Sequence, residues 1–160
     1  MNTAGESLAG FHGAHRRFEK TGEVNGAELF HDYGHNPTEI RNAVHIARKR
    51  CRGKLISVVQ PHTFSRLRTL FDEFVTCTEE ADLTLITDVF MARETDPGNL
   101  NSGMLVEAMN QAGIPAQWTP SFEDAEQVIR QMLEPGNLVI THGCGNINLL
   151  NDLIASENGK

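Results

Sequence analysis

Short runs of apolar residues alternate along the chain with segments in which apolar residues recur every three or four positions. The runs predict strands in AELFHDY (27–33), KLISVVQ (54–60), DLTLITDVF (82–90), PAQWT (115–119) and NLVITHG (137–143). The helical spacing predicts helices in TEIRNAVHIARKRC (38–51), SRLRTLFDEFVTCTEEA (65–81), GMLVEAMNQAG (103–113), SFEDAEQVIRQML (121–133) and NINLLNDLIAS (146–156). No element is assigned to the polar, glycine-containing segment before Ala27.

Strands that alternate with helices favour a parallel sheet, because each parallel connection has to cross a face of the sheet. We therefore predict an α/β fold, a Rossmann-like three-layer domain with a mostly parallel sheet and helices on both faces. Two apolar stripes are expected to face the sheet: Ile40, Val44 and Ala47 in the first helix, and Leu67, Leu70, Phe71 and Phe74 in the second. The length of 160 residues fits one domain.

Charge and cysteine content narrow the possible partners. The formal net charge of −7 makes nucleic acid an unexpected partner, since phosphate backbones need a basic surface. The three cysteines are widely spaced and odd in number, which argues against a disulfide framework or a closed zinc site. With no secretion signal and no membrane-length apolar run, we expect a cytoplasmic protein without a membrane partner.

Polar clusters follow the predicted strands at their carboxyl ends, where doubly wound sheets bind their ligands. They are HDYGHNP (31–37), QPHTFSR (60–66), DVFMARE (88–94) and THGCGN (141–146). The first contains Asp32, Tyr33, His35 and Asn36, all of which could face a ligand. Asp32 could accept hydrogen bonds from ribose hydroxyls. Asn36 could either read a base edge or simply cap the following helix.

In the second cluster, Arg66 lies four residues after His62. The two would share one face if a helix began at or just after Pro61. A guanidinium beside an imidazole suits a carboxylate ligand, although a solvated arginine at a helix start is the simpler alternative. In the third cluster, Glu94 and Arg93 could simply pair with each other. No metal site is expected.

Two further signals are weak. An arginine in HRRFEKTG could bind a phosphate, but charged residues near a chain end are usually solvated. Cys144 lies near His142, yet proximity in sequence does not make a catalytic pair, and a buried thiol is the expected reading.

Taken in order, GAHRRFE, HDYGHNPTEI, QPHTFSRL, ADLTLITDVFMARE and GNLVITHGCGN resemble motifs of the C-terminal domain of the Mur ligases. The resemblance covers nearly the whole chain and is strongest to the branch that adds L-alanine to UDP-N-acetylmuramate. It implies that residues 1–160 form the amino-acid-binding C-terminal domain. The N-terminal nucleotide-sugar domain and the central ATPase domain of the family are absent from this chain.

The resemblance also implies a reaction. Mur ligases make an acyl phosphate on the muramyl carboxylate with ATP and Mg²⁺, and the amine of the incoming amino acid then attacks it. The implied partners are L-alanine, UDP-N-acetylmuramate and ATP, together with the two absent domains, of which the central one mainly holds ATP and Mg²⁺. The isolated domain is therefore expected to be inactive.

Residue roles follow from the same resemblance. Arg17 corresponds to the catalytic arginine that reaches the ATP phosphates, while Asp32 lies near the ribose and Asn36 near the adenine. The residues that surround the amino acid are Tyr33, His35, His62 and Arg66, with Arg66 on its carboxylate. Glu94 is expected to orient its amine.

Some positions depart from the family pattern. Thr63 stands where many alanine-adding members have arginine, and Asn36 stands where histidine is common. These departures bear on the roles of single residues more than on the family resemblance. Two other functions stay open. One is a murein-recycling ligase that adds a preformed tripeptide to UDP-N-acetylmuramate, and the other is a stand-alone module that binds a small molecule.

Overall fold

The computed structural model describes residues 17–156, which form one six-stranded sheet with helices on both faces. The strands are β1 (Glu19–Val24), β2 (Ala27–Asp32), β3 (Leu55–Val59), β4 (Leu83–Ile86), β5 (Ala116–Trp118) and β6 (Leu138–His142). Their order across the sheet is β1-β2-β6-β3-β4-β5. All neighbours pair in parallel except β1 and β2, which are antiparallel. The α/β prediction with a mostly parallel sheet is confirmed.

Six helices connect or follow these strands in the described part of the chain. They are α1 (Pro37–Arg50), α2 (Phe64–Thr69), α3 (Phe71–Thr76), α4 (Ser102–Gln111), α5 (Phe122–Arg130) and α6 (Asn148–Ser156). Helix α1 begins where expected, because Asn36 caps it and Pro37 has the backbone angle that a first helical residue needs. The single helix predicted over 65–81 is wrong. Leu70 interrupts it at φ −110° and ψ 22°, and turns follow Thr76.

Strand β1 was not predicted, because EKTGEV has too few apolar residues to stand out. It pairs with β2 through a two-residue turn at Asn25 and Gly26, whose φ values are 54° and 86°. Both angles are positive, as a type I′ hairpin requires, and Asn-Gly is the usual sequence for it. The hairpin places Arg17, just before β1, beside the carboxyl end of β2.

The sheet separates two apolar clusters. Side chains of α1 to α4 pack on one face, where Ile40, Val44, Ala47, Leu67 and Phe74 are buried. Side chains of α5 and α6 pack on the other face, where Ala125, Ile129, Leu150 and Ile154 are buried. Leu70 and Phe71 are only partly buried against the first cluster. The result is a three-layer arrangement, because a layer of helices covers each face of the sheet and shields it from water.

Within residues 17–156, none of the helices has both the length and the apolar character needed to cross a bilayer.

Candidate functional site

Four of the predicted site residues come together where β2 and β3 end. The rings of Tyr33 and His35 are 6.2 Å apart in an edge-on arrangement, and those of His35 and His62 are 5.8 Å apart. The Arg66 guanidinium lies 3.3 Å from Nδ1 of His62. We call Tyr33, His35, His62 and Arg66 the clamp. Their proximity follows from the topology, since parallel strands end at one edge of a sheet.

The contact between Arg66 and His62 does not arise as expected. Helix α2 begins at Phe64, so His62 lies outside it and the two residues do not share a helical face. Instead, His62 is held by the next strand connection. It forms an isolated parallel bridge with Phe90, and the two rings stack with their centroids 5.5 Å apart. Phe90 was not singled out from the sequence, because no local pattern shows a contact across 28 residues.

The Arg66 contact also determines how the His62 ring carries its proton. A guanidinium only donates hydrogen bonds, so Nδ1 of His62 accepts and Nε2 carries the hydrogen. Partial burial lowers the pKa of His62, and the nearby Arg66 and His35 lower it further. The ring is therefore a neutral donor beside a permanent cation. That combination suits a carboxylate ligand.

A second group of charges surrounds Arg17 at the end of β2. Its guanidinium nitrogens lie 4.0 Å from Oδ1 of Asp32 and 3.9 Å from Oε2 of Glu39, and the side chain is 41% exposed. Glu39 also accepts a 3.0 Å hydrogen bond from the His35 backbone N–H. Sequence reasoning missed Glu39. The available signal was a glutamate three residues after the N-cap Asn36, as in a capping box.

Glu39 joins the clamp to the Arg17 region electrostatically. Partial burial alone would raise the pKa of Glu39. The hydrogen bond from the His35 backbone, together with the charges of His35 and Arg17, outweighs this effect and lowers the pKa. The carboxylate therefore stays ionised between the His35 backbone and the Arg17 guanidinium.

Asp32 and Asn36 make contacts within the protein. Oδ2 of Asp32 accepts from the Phe18 backbone N–H at 2.9 Å, and Oδ1 accepts from that of Gly34 at 2.7 Å. Asn36 accepts from the Glu39 backbone N–H at 2.9 Å, so it is the helix cap. Asp32 thus anchors the residue next to Arg17. The roles of both side chains toward a nucleotide stay predictions.

Glu94 lies at the start of helix α2. One carboxylate oxygen accepts from the backbone N–H groups of Phe64 and Ser65 at 2.7 and 3.1 Å. The other accepts a hydrogen bond from Ser65 Oγ. The carboxylate therefore caps the helix that carries Arg66. Its predicted role on the substrate amine stays a prediction.

His142 and Cys144 make no catalytic pair in this geometry. The His142 side chain is fully buried, and its Nε2 lies 2.8 Å from Ser57 Oγ. Burial, with a smaller contribution from His31, lowers the pKa of His142 to about 3, so the ring is neutral. Cys144 is half-buried rather than buried as expected.

Two of the cavities among the described residues are large enough to compare with the clamp as ligand sites. One of about 510 Å³ borders it behind Phe90 and is also lined by Gln60, Asp88, Phe122 and Asn146. The other, of about 390 Å³, lies at the opposite edge of the sheet beside Glu28 and Arg50. The second is remote from every predicted site residue. The carboxyl edge remains the candidate site because the clamp, Arg17 and the larger cavity all lie there.

Within residues 17–156, no three histidine, cysteine, aspartate or glutamate side chains come together as a metal-binding group. Arg17, by contrast, offers a half-exposed guanidinium suited to phosphate. Residues 13–16 of the GAHRRFE motif lie outside the described part of the chain.

Comparison with known proteins finds relatives both by sequence and by fold. The family described as "Mur ligase, glutamate ligase domain" matches residues 16–145. A protein named UDP-N-acetylmuramate–L-alanine ligase, from Caldicellulosiruptor bescii, is 39% identical over 155 residues, which are 97% of this chain and 34% of the relative. The chain thus spans about a third of the length of the curated relatives it matches.

Solved structures share the fold. The UDP-N-acetylmuramate-alanine ligase MurC of Thermotoga maritima superposes with a TM-score of 0.72 at 23% identity, covering 95% of this chain and 32% of that one. The bifunctional folylpolyglutamate synthase/dihydrofolate synthase of Yersinia pestis, complexed with AMPPNP and a Mn ion, has a TM-score of 0.61 at 21% identity. That match covers 89% of this chain and 31% of the other.

Proposed function

The chain belongs to the Mur ligase, glutamate ligase domain family, and from that premise we propose that it is the C-terminal domain of an ATP-dependent ligase that adds L-alanine to UDP-N-acetylmuramate. The observation that carries the proposal is the contact of Arg66 with His62 at the carboxyl edge of the sheet. It supplies a cation and a neutral donor for the carboxylate of an incoming amino acid. The name of the relative at 39% identity supports L-alanine as that amino acid.

The acceptor binds through its carboxylate in this proposal. Arg66 forms the ion pair, and Nε2 of His62 is the second donor. Because the lowered pKa keeps His62 neutral, the ring adds no positive charge to repel the acceptor's own ammonium group. Tyr33 and His35 form the wall of the clamp toward β2. Binding the carboxylate at a fixed place directs the amine toward the activated substrate.

Arg17 acts on the nucleotide side. ATP, when bound, supplies the phosphoryl group that activates the muramyl carboxylate. The Arg17 guanidinium is held between Asp32 and Glu39 while 41% of its side chain stays exposed, which suits contact with a phosphate arriving from outside this chain. The remaining ATP contacts and the ligands of Mg²⁺ are proposed to come from a central domain of the longer polypeptide.

The test uses the full-length protein that contains this domain. ADP release is followed with ATP, Mg²⁺ and UDP-N-acetylmuramate, while L-alanine, L-serine, glycine or the murein tripeptide is offered as acceptor. Turnover that is fastest with L-alanine supports the proposal. Turnover with the tripeptide alone overturns the choice of acceptor in favour of the recycling ligase. No turnover with any acceptor overturns the ligase function and favours a binding module.

The isolated chain is a second arm of the same test. We propose that its 160 residues are inactive alone, because the chain spans about a third of its relatives and the ATP site needs the rest. ATP-dependent ligation by this chain alone would contradict that.

A further inference from the structure

The backbone between His62 and helix α2 is strained at Thr63. Thr63 has φ 70° and ψ 144°, and a β-branched residue rarely adopts a positive φ. Such a conformation persists only where the surroundings hold it. Since Thr63 joins His62 to the helix of Arg66, whatever holds Thr63 also sets the distance between the two clamp residues.

The connection between β4 and β5, which contains Phe90 and Glu94, supplies what holds it. The Thr63 backbone N–H donates to the Phe90 carbonyl at 2.9 Å, and the Phe90 N–H donates to the Pro61 carbonyl at 2.8 Å. Thr63 Oγ1 accepts from the Arg66 backbone N–H at 3.3 Å. Four residues after Phe90, the Glu94 carboxylate binds the next two backbone N–H groups, those of Phe64 and Ser65.

Glu94 is well suited to this task. Three donors from the first turn of α2 already reach its two oxygens. The hydrogen bond from the Ser65 side chain, followed by those from the Ser65 and Phe64 backbone, lowers the pKa of Glu94 despite some desolvation. The carboxylate is therefore ionised, and its negative charge is favourable at a helix start.

We propose that Glu94 is a positioning residue, which fixes the first turn of α2 and so holds Arg66 against His62 without itself binding the acceptor. This inference rests on the proposed function of the clamp. The family resemblance implies that Glu94 contacts the amine of the acceptor. In this proposal Glu94 instead acts indirectly, by positioning the arginine that binds the carboxylate. The two roles differ in what they predict when Arg66 is removed.

The first experiment compares Glu94→Ala with a matched control in the full-length enzyme. The control is Asp124→Ala, because Asp124 accepts from the backbone and the hydroxyl of Ser121 in the capping box of α5. Both variants lose an acidic helix cap. Glu94→Ala should raise the KM for L-alanine about tenfold, because Arg66 is then no longer held in place for the carboxylate, while the KM for ATP stays within twofold. Asp124→Ala should leave the KM for L-alanine unchanged.

A double-mutant cycle separates the two roles. If Glu94 acts through Arg66, Glu94→Ala adds little to the KM for L-alanine once Arg66→Ala is present. If Glu94 binds the amine, the two increases multiply, and the proposal is overturned. Ser65→Ala is the milder variant should Glu94→Ala fold poorly. It removes the hydroxyl bond to Glu94 and a longer contact of that hydroxyl with Thr63 Oγ1, keeps the Glu94 carboxylate, and should raise the same KM by a smaller factor.

The cycle also distinguishes an error in this inference from an error in the proposed function. If Arg66→Ala itself leaves the KM for L-alanine unchanged, the clamp is not the carboxylate site and both are overturned. If Arg66→Ala raises that KM but neither Glu94→Ala nor Ser65→Ala does, only the positioning role is overturned.

Discussion

The Arg66 guanidinium reaches Nδ1 of His62 at 3.3 Å across the strained residue Thr63, from a helix to which His62 does not belong. The contact fixes the ring tautomer, because arginine can only donate. It therefore joins two side chains on different backbone elements into one hydrogen-bonded unit.

The first prediction concerns this unit. Arg66→Ala in the full-length enzyme should raise the KM for L-alanine about 10–100-fold, since a hydrogen-bonded charge is lost from the carboxylate site. The KM for ATP should change little. Arg68→Ala is the control, because Arg68 is exposed and donates to Asn99 instead. Equal increases in both KM values, measured by steady-state kinetics, would show that Arg66 does not bind the acceptor carboxylate.

A second prediction follows from the low pKa of His142. The folded state holds this ring neutral with a pKa of about 3, whereas in the unfolded chain it takes up a proton near pH 6.5. The stabilisation is complete above pH 6.5 and is lost as the pH falls toward 3. At pH 5 the loss is about 2 kcal/mol. Urea unfolding of the 160-residue chain at pH 7.5 and pH 5 measures it.

Two variants test whether His142 causes this loss of stability at low pH. His142→Gln removes the titrating ring and should flatten the fall in unfolding free energy between pH 7.5 and pH 5. His45→Gln is the control for loss of a histidine, because the His45 side chain is 53% exposed and the substitution leaves the buried contact of His142 with Ser57 intact. An unchanged pH dependence in His142→Gln would place the sensitivity elsewhere.

The sequence predicts best those features that depend on neighbouring residues. Helix α1 was predictable because its cap, its first proline and its apolar stripe all lie within one segment. The gathering of the clamp at one sheet edge was predictable from strand order along the chain. In both cases the physical cause is local, or follows from how parallel strands must be connected.

Features that depend on distant contacts were missed. Strand β1 has little apolar character of its own and forms because β2 offers it a hairpin partner. The helix predicted over 65–81 breaks at Leu70, which the apolar spacing of the segment does not reveal. The bonds of Glu94 to helix α2 link residues about 30 positions apart. No pattern within either segment indicates that they meet.

The third prediction concerns the two roles considered for Asn36, which are capping helix α1 and contacting the nucleotide. Asn36→Ala should lower the unfolding free energy by about 1 kcal/mol, because the Glu39 N–H loses its cap. Asn36→Asp keeps an acceptor and should retain stability. Thermal or urea unfolding of the chain measures both. If Asn36→Asp raises the KM for ATP in the full-length enzyme while stability is unchanged, the predicted contact with the nucleotide gains support.

The last prediction concerns Arg17, whose expected partner is the phosphoryl group transferred from ATP. A cation that binds charge developing in the transition state affects kcat more than acceptor binding. Arg17→Ala should therefore lower kcat about 100-fold and leave the KM for L-alanine within about twofold. Arg41→Ala is a matched control, since Arg41 has similar exposure and pairs with Glu79 on the surface.

A substitution of Asp32 tests the same role of Arg17 independently. Its carboxylate anchors the Phe18 backbone next to Arg17, so Asp32→Asn should loosen that anchor and lower kcat in the same direction. Combined with Arg17→Ala, it should add little, because the group it positions is already gone. A multiplicative loss in the double variant would instead indicate that Asp32 acts on the nucleotide directly. That outcome would favour the ribose contact predicted from the sequence over the anchoring role.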